Sequence, residues 1–247
     1  MTKAKPCWIF SYPRTGSSYL ASSLNFTGLY DPICIEWFNP TVEKRDTEIA
    51  HQTVQWKPWH NIPPEMIKDD VTLLLRELPL NLKIHVFDYK IWFTKEHLTK
   101  IYKSLGIQII RIRRRDVVAA TASYYLADAT NIYAVENEEQ VAKHAHIEVP
   151  VNENKLWICY NWMKVWDREC GELLDDVSHL VVFFEDLFDE NGINKEELLR
   201  IHNILGIPEE KTLISIPKIL DRKLNHPQTP AIQEALRKLI IKNDFRH

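Results

Sequence analysis

The stretch of sequence that decides the fold runs from Cys7 to Leu20 and reads CWIFSYPRTGSSYL. Cys7–Tyr12 is an apolar run of the length typical of a buried strand. Residues 13–16 then bring a proline and a glycine, which favour a turn. Ser17–Asn25 has the pattern of a helix, and Gly28 is placed to end it. The stretch therefore predicts a strand, a tight turn and a helix in direct succession.

The rest of the chain repeats this alternation. Further strands are predicted at Ile84–Trp92, Ile107–Arg113 and Leu180–Phe184. Further helices are predicted at Asp70–Leu78, Lys95–Leu105, Lys155–Leu174, Asn194–Gly206 and Pro230–Ile241, with another that begins after Asp116. Short apolar strands that alternate with helices predict an α/β fold of three layers, in which helices flank a mostly parallel sheet. Ligands of such sheets bind at the carboxyl ends of the strands, so the residues that follow the strands are the candidates for function.

The bulk composition excludes several classes of protein. The chain has 247 residues, 45% of them hydrophobic, which is enough for one domain over residues 1–247. The balance of 31 Lys and Arg against 34 Asp and Glu argues against a nucleic-acid binder. We expect a cytoplasmic protein with no membrane span, because neither a long apolar run nor a signal-peptide pattern is present. The four cysteines lack metal-ligand spacing, so we expect reduced thiols and no metal site.

The turn after the first predicted strand has the residues of an anion-binding site. Gly16 lets the backbone approach an anion closely, and the N-terminus of the next helix offers free N–H groups. Arg14 adds a forked cation, and Thr15, Ser17 and Ser18 add hydroxyl groups. The ATP-binding pattern GxxxxGK(S/T) is absent, because no lysine follows Gly16. The turn therefore suits a phosphate group, and the alternative is an ordinary capped turn.

A second basic block, Arg111–Asp116, lies at the end of the third predicted strand. Alternation places Arg111 and Arg113 on one face of the strand, whereas Arg114 and Arg115 lie past the strand end. Ser123 lies two turns into the helix that follows, so that an arginine and this hydroxyl group could converge on one phosphate. The alternatives are a solvated basic cluster and an internal set of salt bridges.

Together the two blocks resemble the sulfotransferases that use 3'-phosphoadenosine-5'-phosphosulfate (PAPS). In that family a strand–loop–helix near the N-terminus binds the 5'-phosphosulfate, and an arginine and a serine eight positions later bind the 3'-phosphate. Arg115 and Ser123 have that spacing. Arg114 is the second choice, because a predicted strand end is uncertain by a residue.

More closely, the chain is similar to the trehalose 2-sulfotransferase branch of bacterial enzymes. The matching pieces occur in the family's order and spread over most of residues 8–220. They are Pro13–Ser18 with Leu20, Thr27-Gly28, Glu36-Trp37-Phe38, Lys90-Ile91-Trp92, Arg115–Val118 through Ser123, and Phe184–Leu187. We expect the two acids of the last piece to be structural and to tie the sheet to the helix Lys155–Leu174.

The resemblance implies a P-loop-like fold, PAPS as donor and 3'-phosphoadenosine-5'-phosphate (PAP) as product. The activity would be sulfuryl transfer to the hydroxyl group of a carbohydrate or small alcohol, and a homodimer is compatible with it. The chain departs from these families at two points: its middle is short for that branch, and the glycine-rich basic motif of the cytosolic steroid and phenol sulfotransferases is missing. Trehalose itself is not implied, because residues that contact the acceptor cannot be carried over from such short matching pieces. A P-loop-type nucleotide kinase and a non-catalytic nucleotide-binding protein remain as alternatives.

The resemblance also directs the search for a group that takes the acceptor proton. Cytosolic sulfotransferases use a histidine two residues after a strand lysine. Lys90 suits that lysine, but the position two later is Trp92, which takes no proton, and His85 comes too early in the strand. In the trehalose 2-sulfotransferase branch the proposed base is a glutamate, which Glu36 matches. Desolvation by its aromatic and apolar neighbours would raise the pKa of Glu36 towards that of a useful base.

The remaining predictions concern charge and the acceptor. Lys90 and Arg14 are predicted to neutralise charge on the transferring group, so both join Glu36 as catalytic candidates. The alternative for Lys90 is an ion pair with Asp88. Four aromatic side chains are candidates to line an acceptor cleft, with core packing as the alternative: Trp37, Trp56, Trp59 and Trp92.

Overall fold

The structure, a computed structural model, describes residues 4–29, 34–35, 48–49, 52–53, 81–85, 94–132, 142, 145–189, 192–212 and 226–244. The strands are β1 (Cys7–Ser11), β2 (Cys34–Ile35), β3 (Glu48–Ile49), β4 (Gln52–Thr53), β5 (Leu82–His85), β6 (Gln108–Arg113), β7 (Leu180–Phe183), β8 (Phe188–Asp189) and β9 (Gly192–Ile193). The helices are α1 (Ser17–Phe26), α2 (Lys95–Leu105), α3 (Val117–Thr130), α4 (Glu153–Leu174), α5 (Phe184–Leu187), α6 (Lys195–Leu205), α7 (Glu209–Thr212) and α8 (Thr229–Asp244). The predicted helix Asp70–Leu78 lies outside the described residues.

Five strands form one sheet in the order β2-β5-β1-β6-β7, and every neighbouring pair is parallel. Two short antiparallel pairs, β3–β4 and β8–β9, lie apart from it. The chain leaves β1 towards β5 on one side of the sheet and returns to β6 on the other. The carboxyl ends of β1 and β6 therefore meet where the strand order reverses, which is the usual place for a ligand in such a sheet.

Strand β1 is the centre of the core because all five of its residues are buried. Trp8 and Phe10 point to one face, where they pack with residues of α2 and α4. Cys7 and Ile9 point to the other face, where they pack with residues of α1 and α6. A strand that buries both faces is typical of a parallel sheet between two helical layers. The predicted three-layer α/β fold, with helices that flank the sheet, is confirmed.

Local signals explain several element boundaries. The Asp116 side chain accepts a hydrogen bond from the N–H of Ala119 at 2.8 Å and begins α3, as predicted. Asn194 caps α6 by accepting from the N–H groups of residues 196 and 197, which is also as predicted. Helix α4 begins two residues before its predicted start, because Asn152 caps it. No helix in the described ranges is both long and apolar enough to cross a membrane.

Three cysteines, Cys7, Cys159 and Cys170, are buried free thiols. Burial raises the pKa of all three, to about 11 for Cys159 and to about 12 for Cys170. Because the thiolate is the reactive form, these thiols are poor nucleophiles and serve as small apolar core residues.

The two arginines on the face of β6 are tied to helix α4. Arg111 donates to the backbone carbonyl of Asp167 at 2.7 Å and to its carboxylate at 3.1 Å. Arg113 donates to both oxygens of the same carboxylate, at 2.9 and 2.6 Å, which raises the pKa of Arg113. Gly171 makes room for this contact, since a Cβ there would lie 3.0 Å from the Arg111 guanidinium. For these two arginines the salt-bridge alternative is the observed arrangement.

We expect Asp167→Ala to lower the free energy of unfolding by about 2–3 kcal/mol, because it leaves two partly buried guanidinium groups without their shared carboxylate. The loss is measured by urea denaturation, as a lower midpoint with an unchanged slope of the free energy of unfolding against urea concentration. Asp176→Ala is the matched control, since it removes a carboxylate that pairs with Lys95 at the surface. The control should leave the midpoint close to wild type. Equal midpoints for the two variants would contradict a supporting role for Asp167.

Candidate functional site

The turn between β1 and α1 is closed by its own side chains and holds an unusual backbone. The buried Thr15 hydroxyl donates to the carbonyl of Tyr12 at 2.9 Å. Arg14 and Gly16 both lie in the left-handed region, with φ of 68° and 82°. A non-glycine residue in this region costs about 1 kcal/mol or more and is often found at functional sites. The turn therefore holds Arg14 in a conformation that the surrounding contacts must stabilise.

Gly16 is also the N-cap of α1 and lies in a tight place. None of the described side chains caps this helix, and its first turn carries no acidic residue. The first N–H groups of α1, which have no acceptor within the helix, therefore favour an anion. A Cβ on Gly16 would lie 3.0 Å from the ring of Phe184 and 3.1 Å from that of Phe188. Both the backbone conformation and the packing therefore require glycine here.

The turn faces helix α3 through a direct side-chain contact. Arg14 Nε donates to Ser123 Oγ at 2.8 Å, so the two predicted phosphate-binding blocks meet at one place. Arg114 follows β6 and donates from Nη1 to the backbone carbonyl of Arg14 at 3.1 Å. Burial, and then repulsion from Arg114, lower the pKa of Arg14 to about 10. The two positive charges lie at the crevice outside the carboxyl ends of β1 and β6, and their partial burial and mutual repulsion favour an anion there.

Arg115, which the spacing predicts as a phosphate ligand, points to another partner in this structure. Its guanidinium group pairs with both carboxylate oxygens of Asp186, at 2.7 and 2.8 Å. Half of the side chain is exposed, and the pair raises the pKa of Arg115 and lowers that of Asp186. The neighbouring Glu185 accepts hydrogen bonds from the N–H groups of Arg115 and Asp116. The two acids thus contact the β6–α3 loop, whereas Asp167 makes the observed tie to α4.

Two residues of β5 also lie near the turn: Lys83, which the sequence did not single out, and His85, which was rejected as the base because it comes early in the predicted strand. Lys83 is 1% exposed, and its Nζ donates to Ser18 Oγ in the first turn of α1 at 3.1 Å. His85 is 7% exposed and lies opposite Ser11, the last residue of β1. The two residues are two apart and so share a face of the strand. Their Lys-x-His spacing was the available signal, but Lys90 was preferred as the strand lysine for its position 25 residues before Arg115.

The remaining predicted site residues lie outside the described residues. These are Glu36 and Lys90, together with the four tryptophans of the predicted acceptor cleft: Trp37, Trp56, Trp59 and Trp92. Their roles remain predictions from the sequence.

The described residues thus define a three-layer α/β protein with a cationic crevice at the carboxyl ends of β1 and β6. No protein-family model and no curated protein matches the chain. Four chains among the solved structures match it. One is the sulfotransferase domain of the olefin synthase from Synechococcus PCC 7002, with 15% sequence identity and a TM-score of 0.40. The match covers 94% of this chain and 86% of that one.

We expect Gly16→Ala to destabilise the protein more than Gly28→Ala. Both glycines have positive φ, 82° and 66°, so each replacement carries a backbone cost of about 1 kcal/mol. Only at Gly16 does the new methyl group also meet the rings of Phe184 and Phe188, whereas nothing lies within 4 Å at Gly28. The difference should be about 1–2 kcal/mol in urea denaturation, the usual cost of overpacking. Equal losses would show that the rings move aside.

Proposed function

We propose that this chain is a sulfotransferase that moves a sulfuryl group from PAPS to a hydroxyl group of a small-molecule acceptor, with PAP as the other product. The observation that carries the proposal is the hydrogen bond from Arg14 to Ser123. It brings together two anion-binding blocks that lie far apart in the sequence, as a nucleotide with phosphate groups at two positions requires. A carbohydrate or small-alcohol acceptor belongs to the same proposal through the family resemblance, and a single domain and a cytoplasmic location belong to it through the composition and pattern of the sequence.

The 5'-phosphosulfate would lie at the turn and the N-terminus of α1. The N–H groups after Gly16 and the hydroxyl group of Ser18 supply donors, and Arg14 supplies a forked cation. Thr15 and Ser17 are buried, so we assign them to shaping the turn and to backbone contacts. Lys83 supports this assignment, because its ammonium group reaches Ser18 from a neighbouring strand. Lys83 would thus supply the positive charge that ATP-binding P-loops obtain from the lysine after the glycine, which is missing here.

The 3'-phosphate would lie at Ser123, next to an arginine of the β6–α3 loop. Arg114 is supported by its contact with the backbone of Arg14 and by its charge, which lies inside the crevice. Arg115 is supported by the family spacing, but it would first have to leave Asp186. We therefore propose Arg114 as the main cation at the 3'-phosphate and keep Arg115 as the competing assignment.

The chemistry would be an in-line displacement at sulfur. The acceptor oxygen forms the new bond to sulfur while the bond between sulfur and the bridging oxygen of PAPS breaks. In this proposal Arg14 and Lys83 would stabilise the negative charge that develops on that oxygen, and Lys90 would add to them. The acceptor proton goes to Glu36 in our proposal. His85 is the second choice, because it lies at the carboxyl end of β5 beside β1.

A thermal shift comparison with three ligands tests the proposal. A ligand that binds only the native state raises the melting temperature. We expect PAP to stabilise the protein in the presence of a chelator, and ATP with magnesium to stabilise it less. Stabilisation by magnesium-ATP alone would contradict the proposal and favour a kinase. A shift with both nucleotides but no sulfuryl transfer to any acceptor in a screen with labelled PAPS would favour a non-catalytic nucleotide-binding protein.

Calorimetry with PAP should then assign the phosphate ligands. Arg14→Ala should weaken binding by roughly 1.5–3 kcal/mol, as for a charged hydrogen bond, and Ser123→Ala by about 0.5–1.5 kcal/mol. Arg114→Ala should reduce the affinity at least tenfold, whereas Arg115→Ala should change it by less than about threefold. The reverse order of the last two variants would assign the 3'-phosphate to Arg115.

Replacement of the proton acceptor should lower turnover without weakening PAP binding. If Glu36 takes the proton, Glu36→Gln should reduce the rate by about 10²–10⁴-fold and abolish the rise of the rate with pH. His85→Asn is the matched comparison, because it keeps a polar side chain that takes no proton near neutral pH. Should His85→Asn produce that loss instead, the histidine is the base. Lys90→Ala should lower turnover but keep the pH dependence, because the lysine would stabilise charge and take no proton.

A further inference from the structure

Two adjacent rings at the junction of β7 and α5 hold two adjacent arginines on different sides. The guanidinium carbon of Arg115 lies 3.9 Å from the ring centroid of Phe183. That of Arg114 lies 4.3 Å from the ring centroid of Phe184. Arg115 is paired with Asp186 on the exposed side, whereas the side chain of Arg114 is 14% exposed and reaches the β1–α1 turn. The two rings thus lie against arginines in different environments: Arg115 is exposed and paired with an acid, and Arg114 is largely buried beside the turn.

The ring of Phe184 has a second contact, with the turn itself. Its edge atoms Cδ2 and Cε2 would lie 3.0 and 3.4 Å from a Cβ on Gly16, so the ring packs closely on the N-cap of α1. Its face carries the Arg114 guanidinium, which in turn donates to the carbonyl of Arg14. The contacts close a circuit from Gly16 through Phe184 and Arg114 back to Arg14. One side chain therefore links both anion-binding blocks.

An aromatic ring suits this place because it holds a cation without neutralising it. A carboxylate bound to Arg114 would compete with a phosphate for the same guanidinium group. Glu185 Oε1 lies 3.9 Å from Arg114 Nε, too far for a hydrogen bond, and the two Glu185 oxygens accept from the N–H groups of Arg115 and Asp116. Cation–π attraction fixes the guanidinium plane and leaves the N–H groups at its edge to bind an anion. It also offsets part of the repulsion between Arg114 and Arg14.

We infer that Phe184 is a positioning residue of the donor site, which holds Arg114 and the Gly16 turn in the arrangement that binds the nucleotide phosphates. The inference rests on the proposed function for the identity of the ligand. The coupling of Phe184 to Arg114 and to the turn is a property of the free protein.

The test compares the two phenylalanines by calorimetry with PAP. Phe184→Leu keeps an apolar side chain but removes the ring face, and it should weaken binding by about tenfold. Phe184→Tyr keeps the face and should bind within about twofold of wild type. Phe183→Leu removes the ring under Arg115 and should also bind within about twofold. Equal losses in Phe183→Leu and Phe184→Leu would overturn the inference.

A double-mutant cycle tests whether Phe184 affects PAP binding through Arg114 or through the stability of the whole protein. It uses Arg114→Lys, a milder change than Arg114→Ala. Arg114→Lys keeps the positive charge but loses the planar guanidinium that stacks on the ring. If Phe184 acts through Arg114, the double variant Arg114→Lys with Phe184→Leu should lose little more affinity than either single variant. Additive losses would mean that the ring acts elsewhere.

Hydrogen exchange of the free protein makes the test independent of PAP. Amide exchange over residues 12–20 should be faster in Phe184→Leu than in Phe183→Leu, because only the first variant releases the turn. Equal exchange in the two variants would overturn the inference even if PAP binds. Wild-type protein that binds no PAP would contradict the proposed function, while the exchange result would still decide whether Phe184 positions the turn.

Discussion

The burial of β1 on both faces is the constraint on which the rest of the structure depends. All five residues of the strand are in the core, so the chain must leave it at the carboxyl edge of the sheet and turn at once into α1. The same constraint places β5 and β6 on either side, because each must complete the backbone hydrogen bonds of a strand that has no solvent-facing side. Three chain segments therefore deliver their ends to one crevice.

The basic block at the end of β6 shows how one run of similar residues is given different tasks. Four arginines fall within Arg111–Arg115. The two on the strand face share the carboxylate of Asp167 and fix a helix to the sheet. Arg115 is paired at the surface, and Arg114 rests on an aromatic ring inside the crevice. The partner of each guanidinium group thus decides whether it serves the core or remains available to an anion.

The sequence predicted the elements that depend on local or periodic signals. The strand–turn–helix around Gly16 and the caps at Asp116 and Asn194 depend on residues close to one another, and they were predicted correctly. The shared edge of a parallel sheet predicted that residues following the strands lie near one another, but not the direct hydrogen bond from Arg14 to Ser123. The partner of each charged side chain could not be predicted from the sequence, because it depends on residues brought close only by the fold. The pairing of one arginine with an acid and of another with a ring leaves no signal in the sequence. Lys83 had a signal in its Lys-x-His spacing, but its contact with Ser18 depends on which residues form β5.

The strand order also determines when β1 can be buried during synthesis. Residue 8 of β1 lies opposite residue 82 of β5 and residue 109 of β6, so β1 waits during synthesis for partners made much later. Non-local parallel pairing of this kind is slow to form and leaves apolar surface exposed in the meantime. The apolar residues of β1 stay exposed for that interval, and exposed apolar surface on an incomplete chain favours aggregation. The segment on which the architecture is built is thus the one whose burial is delayed.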